Sequence, residues 1–401
     1  MKCVILAAGE GKRIRPLTYT RPKVMLTIAN KPIIEWNLLN AKKAGLKEFI
    51  IIVGYKSEMV RDHFGDGKKW NVKIEYLNQG KPQGTAHAIK LVKKFVNNFI
   101  VLCGDTIFGT QDIKKIMEKK SSIGTVKVKH PEEYGILEIK NKKLIKIHEK
   151  MQQPISNEIN AGIYHFSKKI FNYIEKTKKS QRGEYEITDS INMKLKNNTI
   201  HTIQIKEWRD VVYPWHLLEA NQEILNKIKT KNNGKTEKNT TIKGNVIIGK
   251  NTEIMNGAYI QGPVIIGENS KIGPNCYIRP YTTIGDNCHI GNTSEIKNSI
   301  IMNNSNIPHQ NYVGDSIIGQ NCNLGAGTKI ANLRLDKKNI TTKINGKTIN
   351  TKRRKLGVIM GDNVQTGINS MLDVGTIIGD QVFIGPGALV RGEIKPKSKI
   401  Y

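Results

Sequence analysis

Acidic residues are scarce in this chain. Aspartate and glutamate number 34 against 64 lysines and arginines, a formal charge of +30 at pH 7 over 401 residues. Cysteines number five, Cys3, Cys103, Cys276, Cys288 and Cys322. An odd count with no C-x-x-C spacing suggests neither a disulfide framework nor a zinc site. No apolar run is long enough to cross a bilayer. The N-terminus opens on a strand-like run rather than on a cationic leader. Aromatics make up 6%, and the lysines are neither confined to one segment nor interleaved with stacking rings, as single-stranded nucleic-acid binding favours. These absences predict a soluble, cytoplasmic chain in a reducing setting, with no nucleic acid and no membrane among its partners. A basic surface still draws anions such as sugar phosphates and nucleotides.

What is present falls into two textures, so two or three domains are expected. Residues 1–225 alternate apolar strands with amphipathic helices. Val4–Leu6 and Phe49–Val53 read as strands, and a helix starts near Ile33 and closes at Gly45. Thr85–Phe95 has helical spacing, and Phe99–Cys103 is a strand running into "GDT". This alternation predicts a Rossmann-like α/β domain with a mostly parallel sheet. Its ligands should lie beyond the carboxyl ends of the strands, where both "AAGEGKR" and "GDT" emerge. The polar run 226–239 reads as a linker.

Beyond it, isoleucine recurs every six residues from Ile242 to Ile296 without a break, often followed by glycine. The period resumes, shifted, at Ile318, Leu324 and Ile330. It returns at Met360 after a basic insertion, 333–355. A six-residue period is neither helical nor alternating; it is that of a hexapeptide β-helix. Three repeats make a triangular coil with the isoleucines stacked inside, and glycine is expected to supply the tight corners. Residues 240–401 resemble the left-handed parallel β-helix proteins in this respect.

The glycine loop at Leu6–Thr18 fails the Walker pattern, since Gly11-Lys12-Arg13 lacks the hydroxyl and the spacing. It also fails the dinucleotide fingerprint, which needs glycine where Ile14 stands. What remains is G-x-G-x-R followed by Arg21-Pro22-Lys23. Backbone N–H groups of such a loop can cradle phosphates. The segment is similar to the sugar-1-phosphate nucleotidylyltransferases, whose signature is L-A-A-G-x-G-x-R and then P-K. The match continues in order through "NQGKPQGTAHAI", "GDT", "YGILEI", "HEK", "NAGIYHF" and "WRDVVYPWHLLEAN". In that chemistry a sugar phosphate attacks the α-phosphorus of a nucleoside triphosphate and pyrophosphate leaves, so catalysis is positioning and charge neutralisation. The resemblance implies Ala8, Gly9, Gly11, Gln79, Gly84 and Thr85 for the nucleotide. It implies Arg13 and Lys23 as catalytic cations, and Gly135, Glu149, Lys150 and Asn160 for the sugar phosphate. Asp105 and Asp210 match the magnesium positions, and Mg²⁺ suits two carboxylates plus phosphate oxygens and water. His87 and His165 read as structural.

The repeat breaks where "PHQNYVGD" appears. The stretch from Gly291 to Asn332 resembles the acetyltransferase domain of the bifunctional N-acetylglucosamine-1-phosphate uridylyltransferase/glucosamine-1-phosphate acetyltransferases. The resemblance implies His309 as the base that frees the sugar amine, a task that suits a group titrating near neutrality. It implies Arg279 and Lys297 for the phosphate, Tyr312, Asn323 and Asn332 for the sugar, and Ala326 and Gly327 for acetyl-CoA. It also implies a homotrimer with the acetyl-transfer sites between chains. The substrates expected are acetyl-CoA, glucosamine-1-phosphate and UTP, with dTTP as the alternative base.

Two features depart from the bacterial pattern, Lys12 in the loop and the insertion 333–355, and they indicate an archaeal-type enzyme. Two other readings compete. One is a monofunctional nucleotidylyltransferase using dTTP and glucose-1-phosphate or GTP and mannose-1-phosphate, with a structural β-helix. The other is a non-catalytic assembly subunit.

Overall fold

A computed structural model describes residues 1–401. By contact the chain divides into two units. Unit 1 holds Met1–Glu10, Pro22–Met25 and Pro32–Asp210. Unit 2 holds Gly11–Arg21, Leu26–Lys31 and Val211–Tyr401. The second half of the signature loop, from Gly11 onward, therefore belongs to unit 2, although it is written in sequence at the start of the α/β region.

The strands of unit 1 that matter here are β1 (Lys2–Ala7), β2 (Glu48–Val53), β3 (Lys73–Asn78), β4 (Asn98–Cys103) and β5 (Thr106–Phe108). They continue with β6 (Ser122–Lys127), β7 (Gly135–Lys140), β8 (Lys143–Glu149), β9 (Glu158–Ser167), β10 (His201–Gln204) and β11 (Trp208–Asp210). Nine of them form one sheet in the order β3-β2-β1-β4-β9-β6-β10-β8-β7. The first four are parallel. Strand β9 then joins antiparallel to β4, and the far half is mixed. Their apolar residues are buried on both faces, as in Phe49–Val53, because helices cover the sheet. Helix α1 (Ile33–Lys43) ends as its spacing predicts, with Gly45 at φ 107°. The second predicted helix is shorter than its pattern. It runs Thr85–Lys90 and continues as tight turns to Phe95, bonded i to i−3.

Unit 2 is the prism. Three parallel sheets of nine, nine and eight strands form its faces, consistent with a left-handed parallel β-helix. Isoleucines stack directly in register, as in Ile248, Ile266 and Ile284 on one face and Ile260, Ile278 and Ile296 on another. All six have at most 1% of their surface exposed. Burying one such side chain contributes about 1.5–3 kcal/mol, so the repeat is the core. The run 226–239, read as a linker, contributes two short strands, Lys231–Asn232 and Lys235–Thr236, that pair with the first full coil.

Glycine serves the corners partly as expected, with Gly273 at φ 109°, and partly by a different route. Gly249, Gly267 and Gly285 do not take positive φ; the asparagines two residues on, Asn251, Asn269 and Asn287, do, at 53–56°. Asparagine tolerates that region better than most side chains. The glycines are required because coils touch there: a Cβ on Gly285 would lie 2.7 Å from the Asn303 nitrogen.

The six-residue step drops to five twice, from Ile296 to Ile301 and from Val313 to Ile318. Both short steps fall at one corner, at Lys297–Asn298 and at Gly314–Asp315. The insertion leaves the prism as a hairpin of Thr341–Ile344 and Lys347–Asn350. All five cysteines are free thiols. Burial pushes Cys288 up to about 11 and Cys276 and Cys322 up to about 12.

Candidate active sites

In unit 1, the turn after β4 and the end of β11 are brought together by a short antiparallel ladder. Asp210 faces Thr106 across it, and Asp105 directly precedes Thr106. Asn37 of α1 secures the ladder, its amide nitrogen donating to the Thr106 carbonyl at 2.6 Å and its oxygen accepting from the Phe108 amide at 3.2 Å. Lys23, 8% exposed, extends its ammonium to Asp105 at 2.6 Å and to Asp210 at 3.8 Å. Two carboxylates distant in sequence thus meet one cation, in the donor set that a hard divalent ion accepts. The Cys103 thiol is held far above its usual range by burial and by both carboxylates.

Ala8 packs against Gly54, and Tyr55 donates its amide to the Ala8 carbonyl at 3.1 Å; a Cβ at Gly9 would meet nothing within 4 Å. Gln79 donates to the Gly84 carbonyl at 3.0 Å and lies 3.2 Å from His87 Nδ1. Gly84 sits at φ 105°, pressed on the Tyr185 backbone. The Thr85 hydroxyl accepts from the Ile187 amide at 3.0 Å. Gly135 and Glu149 are register partners, and Asn160 closes over them. A Cβ on Gly135 would be 3.0 Å from the Glu149 carboxylate and 3.7 Å from the Asn160 Cβ. Asn160 donates to the Tyr164 hydroxyl at 2.7 Å. Lys150, exposed, donates its amide to the Tyr134 carbonyl at 3.0 Å. Desolvation pushes the Glu149 carboxyl above its usual range, opposed by Arg182, which donates to it at 3.0 Å and to Glu186 at 2.7 Å.

Within unit 2, Gly11 takes φ 81° and opens a single turn, Lys12–Ile14, on which Arg13 is exposed. The Thr18 hydroxyl closes the loop onto the Gly11 carbonyl at 3.1 Å.

The shortened corner of the prism builds the other cluster. Asp315, 3% exposed, accepts from Asn298 and Asn332 at 2.6 Å each and from Lys297 at 3.3 Å. Asn332 also reaches the Tyr312 hydroxyl at 3.3 Å. Arg279 pairs with Glu295 at 2.8 Å. Lys355, at the end of the insertion, arrives beside Lys297 and Arg279, whose positive charges hold its ammonium below the usual lysine range. His309 is exposed on the turn between the strands Asn306–Ile307 and Tyr312–Gly314. Its carbonyl accepts from the Gly327 amide of the next coil at 3.0 Å, so Ala326 and Gly327 pass next to it. Asn323 pairs in register with Asn306 on the adjoining face.

Residues 2–227 match the nucleotidyl transferase family model. Residues 260–366 match the model of the GMPPB C-terminal domain, and 357–391 that of the hexapeptide repeat of succinyl-transferase. The chain is 43% identical to the bifunctional protein GlmU of Methanocaldococcus jannaschii, over 100% of this chain and 97% of that one. It is 42% identical to the bifunctional sugar-1-phosphate nucleotidylyltransferase/acetyltransferase of Sulfurisphaera tokodaii, over 98% of each. The chain belongs to the bifunctional sugar-1-phosphate nucleotidylyltransferase/acetyltransferases. A UDP-glucose pyrophosphorylase complexed with UDP-glucose shares the fold over 56% of this chain and 98% of its own, at TM-score 0.52 and 24% identity.

The sequence reading missed three residues that the structure places in the clusters. Arg182 bridges Glu149 and Glu186 from a loop with no motif of its own. Asp315 was visible in "YVGD" but stood without a role. Lys355 was hidden behind the insertion. His165 fits its structural reading: it is 1% exposed, its Nδ1 lies 3.1 Å from the Ile116 carbonyl, and burial lowers its pKa.

Proposed function

We propose that this enzyme acetylates glucosamine-1-phosphate with acetyl-CoA on residues 240–401 and couples the product to UTP on residues 1–225. The observation that carries the reading is the exposed His309 side chain on a turn whose backbone carbonyl accepts from the Gly327 amide of the next coil, on the prism whose shortened corner gathers the Lys297, Arg279 and Lys355 cations. The uncharged sugar amine attacks the thioester carbonyl, His309 takes the proton that the nitrogen loses as the amide bond forms, the C–S bond breaks, and that proton passes to the departing CoA sulfur, which leaves as the thiol. Arg279, Lys297 and Lys355 hold the sugar phosphate, Tyr312, Asn323 and Asn332 orient the sugar, and Ala326 and Gly327 line the thioester. Asp315, neutralised by three donors, fixes Lys297 and Asn332 in place.

In the first reaction site, the loop amides of Ala8, Gly9 and Gly11 and the side chain of Arg13 receive the triphosphate. Gln79, Gly84 and Thr85 take the base. Gly135, Glu149, Lys150 and Asn160 take the sugar phosphate. One phosphate oxygen attacks the α-phosphorus in line and pyrophosphate leaves, with Arg13 and Lys23 neutralising the charge. Asp105 and Asp210 would hold Mg²⁺, which when bound supplies charge neutralisation of the phosphate oxygens. Uracil and thymine differ by one methyl, worth only about 1–3 kcal/mol in an apolar pocket, so UTP leads and dTTP follows.

We place the enzyme in the cytoplasm as a homotrimer. Met371 and Leu389 support the trimer: they are register partners, 46% and 50% exposed, on the face that carries Tyr312 and Lys329. Incubation with acetyl-CoA, glucosamine-1-phosphate, UTP and Mg²⁺ should give UDP-N-acetylglucosamine. Turnover of N-acetylglucosamine-1-phosphate without acetyl transfer would reduce the β-helix to a scaffold.

A further inference from the structure

The insertion 333–355 is too well braced to be a loose surface loop. Ile340 and Ile344 are at most 4% exposed, and Thr342 hydrogen-bonds to the Gly375 carbonyl at 2.5 Å. At the hairpin tip, the amides of Asn345 and Gly346 both donate to the Glu393 carboxylate, at 3.0 and 3.2 Å. At the foot, Arg353 pairs with Glu219 at 3.1 Å. Held this way, the Asn345 side chain donates to the Lys12 carbonyl at 3.1 Å. That carbonyl is one peptide from Arg13.

The other end of the same loop is pinned as well. Arg21, 3% exposed, pairs with the buried carboxylate of Asp362 and reaches Gln320 at 3.2 Å. The Thr20 hydroxyl donates to Asp362 at 2.7 Å, and the Gln320 amide donates to its second oxygen at 2.8 Å. Arg21 is followed directly by Pro22 and Lys23. Gly11–Arg21 is thus anchored to the prism on both sides of Arg13.

We propose that Asn345 of the insertion and Asp362 of the β-helix are positioning residues for nucleotidyl transfer, holding the Gly11–Arg21 loop so that Arg13 meets the triphosphate. This rests on the loop's reading as the nucleotide-phosphate site. Neither residue touches a substrate. Their effect comes through placement, and a displacement of about 1 Å at a group that acts by position can lower a rate about 100-fold.

Asn345→Ala removes one side-chain donor and leaves the hairpin backbone intact. Asp362→Asn removes the charge that Arg21 is buried against, and Asp362→Glu restores it. The full-length protein is assayed for both activities, with amide hydrogen exchange read over residues 12–21. Asn345→Ala and Asp362→Asn should each lower kcat for UDP-sugar synthesis at least about tenfold, leave KM for the sugar phosphate within twofold, and speed exchange at Ile14, Leu17 and Tyr19. Acetyl transfer should remain within twofold, and Asp362→Glu should recover part of the loss. Unchanged kcat in both variants of an active enzyme overturns the proposal. If the wild-type chain makes no nucleotide sugar, the functional reading fails instead, and the anchor is decided by exchange alone: unaltered protection in both variants overturns it.

Discussion

Lys23 stands between Asp105 and Asp210, 2.6 Å from one and 3.8 Å from the other. The two carboxylates therefore share one cation and form a single anionic site. Asp105→Asn should lower nucleotidyl transfer at least about 100-fold, the scale on which losing one charge-stabilising group acts. Chelation with EDTA should abolish the same activity. Acetyl transfer should survive both treatments. UDP-sugar synthesis at the wild-type rate in Asp105→Asn would show that the carboxylate is not a metal ligand.

His309→Ala should lower acetyl transfer by about 100- to 10,000-fold, the range of general-base catalysis, and leave nucleotidyl transfer near wild type. A thiol-release assay for CoA and a pyrophosphate-release assay on one preparation separate the two. Equal loss in both would mean that the side chain supports the fold rather than the reaction.

Lys355 gives a pH signature. Lys297, then Arg279, faces it with like charge, and Asp315 only partly offsets them, so its ammonium discharges at a lower pH than an ordinary lysine. The charged form is the one that holds a phosphate dianion. KM for glucosamine-1-phosphate should therefore climb as the medium becomes alkaline, below the range in which an ordinary lysine loses its charge. Lys355→Arg, which stays charged, should flatten that climb. A climb of the same shape in the arginine variant would assign it to another group.

Gly314→Ala tests the packing at the short corner. A Cβ there would come within 2.7 Å of Asn332 and 2.8 Å of the Tyr312 hydroxyl. These two side chains must move, so acetyl transfer should fall about 10- to 100-fold. The cooperative unfolding transition should persist, since Gly314 lies outside the stacked aliphatic ladder. Full activity in the alanine variant would show that Tyr312 and Asn332 do not set the sugar's position.

The prism was legible because every coil places the same residue type in the same environment, so Ile248, Ile266 and Ile284 repeat one physical requirement. The carboxylate pair was legible from motif order, since each aspartate carries its own flanking signature. Chain topology was harder to read. Nothing local in "LAAGEGKRIRPLT" reveals that its second half packs on the β-helix, because Asp362 lies 341 residues from Arg21. Lys355 escaped notice for a similar reason: the insertion separates it from Asn332 in sequence and returns it to the same corner in space. Among the glycines that follow the isoleucines, Gly273 takes the positive φ expected, at 109°, whereas Gly249, Gly267 and Gly285 are dictated by the coil lying on top of them, which sequence does not show.

Stacking has a consequence for how such a chain can change over time. Each full turn of the prism satisfies its backbone groups only against the turns directly before and after it, as nearest-neighbour repeats do. Duplication or loss of a whole eighteen-residue turn near Ile378 would lengthen or shorten the column, yet leave the five-residue steps at Asn298 and Asp315 in the same mutual register. Column height and the geometry of the short corner can therefore vary separately in this architecture, and only fractional turns would break that register.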